Sequence, residues 1–141
     1  MKRYLILLLV VCASTATRAQ NPADKIIGIW LNEEKTTKIE ILKTGNTYSG
    51  KIVWLAQPND PEGNPYTDIK NPDPKKRSQK ILGLTIITGL RYSNNKWYGG
   101  SLYGPKRGQY ANCSIVLKSS GQLQITVSKG VLSETKTWAK L

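Results

Sequence analysis

The carboxylates of the segment 56–80 are the side chains that could carry acid–base chemistry. Asp68 and Asp73 form the obvious pair, since a glycosidase needs two carboxylates that flank the bond it cleaves. Arg77 could bind the carboxylate of a ligand, although an ion pair with Asp73 is favoured. Because Asp and Asn beside Pro typically cap turns, a structural role is favoured over hydrolysis of glycans or esters. We therefore predict no catalytic residue.

The residue types that are absent exclude several other sites. With no His and 2 Cys, the chain lacks a Ser-His-Asp triad, a Cys-His pair and the nitrogen ligands of common zinc sites. Oxygen donors that would suit Ca²⁺ do alternate along one stretch: Asp60, Glu62, Asn64 and Asp68. Gly63 stands too early for the usual calcium loop, so a solvated turn is favoured. We predict no metal and no cofactor.

The aromatic residues indicate a binding pocket. The chain has 4 Trp and 7 Tyr but no Phe, so nearly every ring carries a hydrogen-bond donor. Such rings suit a pocket that is apolar in body and selective at a few points, with simple core packing as the alternative. The predicted ligand-binding residues are four rings that line a cavity and three connector residues that cover its mouth: Trp54, Trp97, Tyr103 and Tyr110, with Asn71, Asp73 and Arg77.

Eight short β-branched and aromatic runs must position these residues. Gly, Asn, Pro and Ser separate them, and almost nothing after residue 20 has helical periodicity. Most runs connect through hairpin-length turns, which predicts a single all-β, eight-stranded, antiparallel up-and-down barrel rather than a two-sheet sandwich. The predicted strands span residues 26–31, 37–42, 47–55, 84–91, 97–103, 109–118, 122–128 and 134–141.

Two local patterns refine this barrel. The connector 56–80, between the third and fourth strands, holds five of the 7 prolines, which predicts a long Pro-rich loop. Period-two alternation on the third strand predicts that one face carries four residues: Tyr48, Gly50, Ile52 and Trp54.

The N-terminus predicts export. A basic start, an apolar run over 4–12 and small residues up to Ala19 are typical of a secretory signal peptide over 1–19, which leaves a domain over 20–141. The run is too short for a spanning helix, which needs about 20 apolar residues. A lipid-anchored form at Cys12 is the less favoured alternative. We expect a monomeric periplasmic or secreted protein with no transmembrane span. In it Cys113 forms no internal disulfide and is expected to be buried, with pairing between chains as the less favoured alternative.

The net positive charge of the chain indicates which classes of partner to expect. The formal net charge of +12 would fall to +9 on loss of Lys2, Arg3 and Arg18. An excess of basic residues favours an anionic envelope component as a partner, although basic side chains on the solvent faces of strands explain most of the charge. The basic clusters, at 75–80 and 106–107, lie in predicted loops, and no helix aligns them for a groove, so we expect no nucleic-acid partner.

Two sets of motifs carry a resemblance to known families. Gly28-x-Trp30 is similar to the start of lipocalin barrels, whose Trp packs across the closed end, often under a basic side chain. The mature chain resembles the exported bacterial DUF2147 family, which implies a lipocalin-like barrel and no assigned activity. Gly104 stands where that family prefers Asp. The matching residues are Asp68, Asn71-Pro72-Asp73-Pro74, Arg77, Gly83-Leu84, Gly89-Leu90, Trp97, Gly99-Gly100, Tyr103, Pro105, Gly108, Tyr110 and Thr137-Trp138.

The leading functional hypothesis is a non-catalytic envelope protein that binds a small amphipathic or acidic ligand in a barrel cavity. The first alternative is a structural or interaction module with a filled core that contacts anionic envelope polymers. The second is a glycan or ester hydrolase that uses the loop carboxylates.

Overall fold

The computed structural model describes residues 18–141. The predicted signal peptide lies almost wholly outside this range and stays a prediction. Eight antiparallel strands close in chain order, with β1 hydrogen-bonded to β8, so the predicted eight-stranded up-and-down barrel is confirmed. The strands are β1 (Gly28–Asn32), β2 (Thr37–Thr44), β3 (Thr47–Leu55), β4 (Thr85–Ser93), β5 (Lys96–Gly104), β6 (Gln109–Leu117), β7 (Leu123–Lys129) and β8 (Leu132–Lys140).

Short turns produce the up-and-down order. Between β4 and β5, Asn94 and Asn95 have φ values of 49° and 60°. Two consecutive left-handed residues are typical of the type I′ turn, whose twist matches the twist of the strands it joins. Asn tolerates this conformation better than most residues do. Consecutive strands therefore pair with each other, which is what a meander requires.

A short 3₁₀ helix, Pro22–Ile26, closes one end of the barrel. The indole of Trp30 is fully buried and donates to the carbonyl oxygen of Ile26 at 2.9 Å. Trp97 donates in the same way to the carbonyl oxygen of Ala23 at 3.0 Å. The ammonium of Lys140 lies 5.6 Å from the ring centre of Trp30, the arrangement that the resemblance to lipocalins implies.

A polar cluster ties this 3₁₀ helix to the barrel wall. Asp24 accepts a 2.6 Å hydrogen bond from the hydroxyl of Tyr48 and forms an ion pair with the ammonium of Lys43 at 3.2 Å. The Tyr48 hydrogen bond, followed by Lys43, lowers the pKa of Asp24. Burial, and then the Asp24 carboxylate, raise the pKa of Tyr48 to about 12.

Side chains fill the barrel at mid-height. A methyl group placed on Gly100 would lie 2.6 Å from Cδ2 of Leu90, and one placed on Gly50 would lie 3.1 Å from Cδ1 of Ile87. Cys113 is buried there, as predicted, and burial raises the pKa of its thiol to about 12. The interior glycines of this layer therefore permit close packing and do not leave a cavity.

A β-bulge changes the inner face of β3 near the opposite, open end. Ile39 pairs with Ile52, whereas the preceding residue Lys38 pairs with Trp54, so β3 holds one extra residue. Beyond the bulge, the alternation of inward and outward side chains along β3 shifts by one residue. Leu55 therefore packs against the core, and Trp54 is 38% exposed. The prediction that Trp54 shares the inner face with Ile52 is therefore wrong. Its ring lies instead under the Lys38 ammonium, 4.7 Å from the ring centre.

Candidate functional site

The outer face of β5 and β6 carries a pair of tyrosines close to the open end. Leu102 pairs with Ala111 on the inner face, so the neighbouring cross-strand pair, Tyr103 with Tyr110, projects outward. Their ring centres are 4.8 Å apart. The prediction that these two rings line an interior cavity is wrong, because they lie on the opposite face of the sheet from the buried core.

The connector between β3 and β4 covers one of these tyrosines. Tyr103 is 4% exposed although it faces outward, and its hydroxyl donates a 2.7 Å hydrogen bond to Oδ1 of Asp68. Asp68 is fully buried, and its Oδ2 accepts a 2.6 Å hydrogen bond from the amide of Asn71. Burial, and then the hydrogen bond to Asp68, raise the pKa of Tyr103 to about 12. The connector therefore lies on the barrel wall rather than across the mouth.

A second contact fixes the same part of the connector to the β5–β6 turn. The ammonium of Lys70 donates a 2.8 Å hydrogen bond to the carbonyl oxygen of Lys106. Gly108 has a φ of 63°, and a methyl group on it would lie 2.0 Å from the carbonyl oxygen of Lys70. Only glycine fits this approach without displacing backbone. The two main blocks of the DUF2147-like motif, 68–77 and 97–110, thus meet in space.

The remaining polar residues of the connector stabilise its own turns. Asp73 accepts a hydrogen bond from the backbone N–H of Lys75 at 3.0 Å and caps the short 3₁₀ helix Pro74–Lys76, as favoured from sequence. The expected Arg77–Asp73 ion pair is absent from the described residues, because Nε of Arg77 donates instead to the carbonyl oxygen of Asn71 at 2.8 Å.

The oxygen-rich stretch of the connector forms a turn as well. The backbone N–H of Asn64 donates to the carboxylate of Asp60 at 2.8 Å. Asp68 points away from this turn and towards Tyr103, so the alternating oxygen donors considered for Ca²⁺ do not converge. Asp60 and Asn64 form a turn, the alternative that the sequence favoured.

A groove of about 660 Å³ lies between the connector and the outer face of β4 and β5, with Tyr110 of β6 at its edge. Its apolar part comes from the segment that leads into β4, and its polar part contains two lysines and several hydroxyl and amide groups. None of these described lining residues is an acid. They are Asn71, Lys76, Gln79, Lys80, Leu82, Gly83, Leu84, Thr85, Ile86, Thr88, Ser101, Tyr103 and Tyr110.

A smaller groove of about 200 Å³ continues from the first across β6 to the β7–β8 turn. Ser101 and Tyr110 line both grooves. Asn112, Ser128 and Lys129 add further polar groups without any carboxylate. Together the two form one outer surface with cations and hydrogen-bond donors.

Only part of the predicted ligand-binding set meets at this groove. Asn71, Tyr103 and Tyr110 line it, whereas Asp73 and Arg77 do not. Trp97 does not line it either: it is 2% exposed, packs against Tyr92 with ring centres 4.9 Å apart, and fills the core.

The sequence prediction omitted most of the lining residues. Lys76 and Lys80 belong to the basic cluster at 75–80, which the sequence indicates only as a charge feature and not as part of a site. Thr88 and Ser101 are paired across β4 and β5 and carry no motif of their own. Only the position of the connector makes them part of a site.

The geometry favours binding over acid–base chemistry. Both carboxylate oxygens of Asp68 are engaged in hydrogen bonds inside the protein, and Asp73 caps a turn. Neither lines the groove. Lysines, hydroxyl groups and amides that converge on one groove can hold an anionic group and orient its neighbours. In the part of the chain that is described, no helix is long and apolar enough to cross a bilayer.

The comparisons with known proteins agree with this architecture. A solved structure titled "Protein HP1028 from the human pathogen Helicobacter pylori belongs to the lipocalin family" matches with a TM-score of 0.71 and 22% identity over 82% of each chain. No curated protein matches significantly. A family model described as "Uncharacterized protein conserved in bacteria (DUF2147)" matches residues 28–140, which span every strand of the barrel. The chain is thus a lipocalin-like barrel that belongs to the DUF2147 family.

Proposed function

We propose that this protein is a non-catalytic binder of a small ligand that carries an acidic group and an apolar part. The ligand lies in the groove beneath the connector, outside the barrel. The observation that carries the proposal is the groove lining, which has two lysines and no carboxylate beside a set of aliphatic side chains. Export to the periplasm or the medium is the setting that the N-terminal sequence predicts.

Charge supports an anionic ligand. Lys76 and Lys80 line the same groove, no acid is among its described lining residues, and neither lysine forms an ion pair within residues 18–141. A partly enclosed cleft of one sign attracts ions of the opposite sign from solution. The hydroxyls of Thr88, Ser101 and Tyr110 offer hydrogen bonds that orient the ligand.

Shape and apolar surface support an amphipathic ligand. A volume of about 660 Å³ lies within the range of roughly 300–1,000 Å³ that is typical of small-molecule sites. Leu82, Leu84 and Ile86 line the part of the groove next to β4. Burying an aliphatic chain against them would contribute about 0.8 kcal/mol for each methylene group.

The docked connector supports a preformed site. The hydrogen bond between Tyr103 and Asp68 and the contact of Lys70 with Gly108 hold one wall of the groove against the barrel. A site that is ordered before binding loses less conformational entropy when the ligand arrives.

The test compares decanoate with decanol by titration calorimetry on the chain 20–141. We expect decanoate to bind more tightly than decanol, and we expect the double variant Lys76→Gln/Lys80→Gln to weaken decanoate binding about tenfold or more. The control Lys25→Gln/Lys118→Gln removes the same charge at the closed end, where Lys25 belongs to the first 3₁₀ helix. Equal affinity in both double variants, or tighter binding of decanol, would overturn the proposal.

The filled barrel favours a second candidate function, contact with an anionic envelope polymer. The close packing around Gly100 leaves no room for a ligand at that level. Lys70 and Lys106 lie together at the open end through the hydrogen bond between them. Two results would favour this function over a groove binder. Co-sedimentation with lipopolysaccharide would fall steeply as the salt concentration rises, and the Lys76→Gln/Lys80→Gln variant would still co-sediment.

A further inference from the structure

Three exposed apolar side chains lie at the open end of the barrel. β1 begins just after the closing 3₁₀ helix, so the connections that follow β1, β3, β5 and β7 all lie at the opposite, open end. Val131 and Leu132 form the tip of the β7–β8 hairpin and are 100% and 75% exposed. Ile69 of the connector is 72% exposed. Among the large apolar residues of the described chain, 18–141, these three have the largest exposed fractions.

The β7–β8 hairpin projects beyond the strand next to it. Asn32, the last residue of β1, pairs with Trp138, whereas β8 begins six residues before Trp138, at Leu132. At about 3.3 Å for each residue, the tip lies roughly 20 Å further along β8 than its last contact with β1. Pairing between β7 and β8 continues as far as Lys129 with Leu132. Val131 therefore lies at the end of a paired hairpin that reaches away from the core.

Basic side chains lie beside these apolar residues. Lys129 precedes the tip, and its ammonium donates to Oε1 of Gln109, the first residue of β6, at 3.4 Å. The turn before β6 carries Lys106 and Arg107, which are both exposed. The ammonium of Lys70, the residue after Ile69, donates to the carbonyl oxygen of Lys106 at 2.8 Å. These contacts join three segments into one surface, called here the basic rim: 69–70, 104–109 and 129–132.

The acids of the open end lie elsewhere. The basic rim contains four Lys or Arg residues and no Asp or Glu. Other connections at this end carry acids, in the β1–β2 turn and in the part of the connector that follows β3: Glu33, Glu34, Asp60 and Glu62. The β1–β2 turn ends well short of the hairpin tip, and β3 stands opposite β7 in the closed order of strands. Glu134, the next acid after the tip, forms an ion pair with Lys136 at 3.2 Å.

We propose that the basic rim docks on the surface of a bilayer that contains anionic phospholipids. Val131, Leu132 and Ile69 enter the boundary between headgroups and acyl chains, and the cations of the rim contact lipid phosphate groups. The affinity of a protein for such a surface increases with the apolar area that it buries and with its attraction to anionic lipids. The rim supplies both, at a surface separate from the proposed ligand groove.

The shape of the rim favours a bilayer over a protein partner. Val131 is fully exposed at the end of a hairpin, and Ile69 belongs to a separate segment, so the apolar surface consists of projecting points. A stable protein interface buries roughly 800 Å² on each partner around a closely packed centre. A fluid bilayer instead accepts separate projecting side chains without a preformed pocket, and its phosphate groups complement the cations between them.

Vesicle sedimentation tests the contribution of charge. The chain 20–141, which contains every strand and the closing helix, is expected to bind vesicles of phosphatidylglycerol and phosphatidylcholine in equal parts. Its affinity for vesicles of phosphatidylcholine alone is expected to be lower by about tenfold or more. The variant Lys106→Gln/Arg107→Gln is expected to lose a similar factor on the mixed vesicles. The control Lys25→Gln/Lys118→Gln removes the same charge at the closed end and is expected to lose much less.

A second pair of variants tests the apolar tip at constant charge. Val131→Ser/Leu132→Ser is expected to weaken binding to the mixed vesicles by about tenfold or more, because two side chains no longer bury apolar surface in the bilayer. Leu141→Ser is the matched control, since Leu141 is 62% exposed and lies at the closed end, where its N–H donates to Ile29. It is expected to bind as the wild type does. Thermal unfolding checks that both variants are folded.

An environment-sensitive dye reports the insertion directly. Cys113 is buried, so a dye that reacts with thiols labels Leu132→Cys at the tip and Leu141→Cys at the closed end. On the mixed vesicles, the emission of the first is expected to shift to the blue and that of the second to stay unchanged. Three results would overturn the proposal: equal shifts at both labels, wild-type affinity in the tip variant, or equal losses in the two charge variants. Full affinity without the apolar tip is what contact with a polymer through charge alone would produce.

Discussion

The hydroxyl of Tyr103 donates a 2.7 Å hydrogen bond to Oδ1 of Asp68, and both residues are buried on the outside of the barrel wall. One belongs to a strand and the other to the connector, so this hydrogen bond, like that of Lys70 with Lys106, joins the two walls of the groove. A buried carboxylate is costly unless its oxygens are hydrogen-bonded, and here both oxygens accept one. The position of the connector thus depends on this contact.

Replacement of Tyr103 by Phe is therefore expected to loosen the connector. Without the hydroxyl, Oδ1 of the buried Asp68 loses its donor, which costs about 1–3 kcal/mol in the free energy of unfolding. Urea unfolding measures this loss, and amide hydrogen exchange should quicken over residues 66–80. Tyr110→Phe is the matched control, since its ring is 49% exposed, and it is expected to change neither quantity.

Gly108→Ala is expected to cost more than the same change at Gly45. Both glycines have left-handed backbones, with φ values of 63° and 62°, so the conformational cost of about 1–2 kcal/mol is shared. Only at Gly108 would the new methyl group meet backbone, the carbonyl oxygen of Lys70 at 2.0 Å, while Gly45 has nothing within 4 Å. Thermal unfolding of the two variants compares the costs. Equal melting temperatures would show that the connector moves away from the new methyl group without a cost in stability.

Two tyrosines are expected to ionise late. The pKa values of Tyr48 and Tyr103 are raised from 10.0 to about 12, chiefly by burial. A pKa raised in the folded state stabilises the fold fully below pH 10.0, and that stability is lost as the pH rises towards 12. Tyrosinate absorbance should rise in two stages while the protein stays folded. Tyr103→Phe and Tyr48→Phe should each remove part of the late stage, and a single stage in the wild type would contradict this prediction.

Tryptophan fluorescence is expected to report the bulge on β3. Trp54 is 38% exposed, whereas Trp30 and Trp97 are at most 2% exposed. Iodide should therefore quench a fraction of the emission in the wild type and much less in Trp54→Phe. Trp97→Phe should instead leave the quenchable part intact. Unchanged quenching in Trp54→Phe would mean that the ring is not on the outer surface.

The strands were predictable because their signals are local. Alternation of apolar and polar residues over 47–55 and 109–118 predicted β3 and β6 to within a residue, and Asn94-Asn95 marked the turn before β5. The inner face at the end of β3 was not predictable, because the bulge that redirects Trp54 carries no glycine and depends on pairing with Lys38. A bulge of this kind becomes visible only when both strands are known.

The groove was not predictable for a related reason. Tyr103 and Tyr110 follow the alternation of their strands and point outward, but the sequence offers no sign that a distant segment covers one of them. Contacts such as that of Lys70 with Gly108 join residues far apart in the chain. The DUF2147-like motif does contain both Asp68 and Tyr103, so its two blocks could have indicated a contact between connector and hairpin.

Because the groove lies on the outer wall, the proposed ligand binding and the packing of the barrel interior depend on different faces of the sheet. In an interior site both would depend on the same face. In a hollow barrel, each change in the ligand alters the packing that keeps the fold stable. Here the close packing around Gly100 and Leu90 lies inside the barrel, and the groove lies on the outer face of the same sheet. Under the proposed function, substitutions at positions such as Lys80 or Thr88 are therefore expected to change the preferred ligand while the melting temperature stays almost the same.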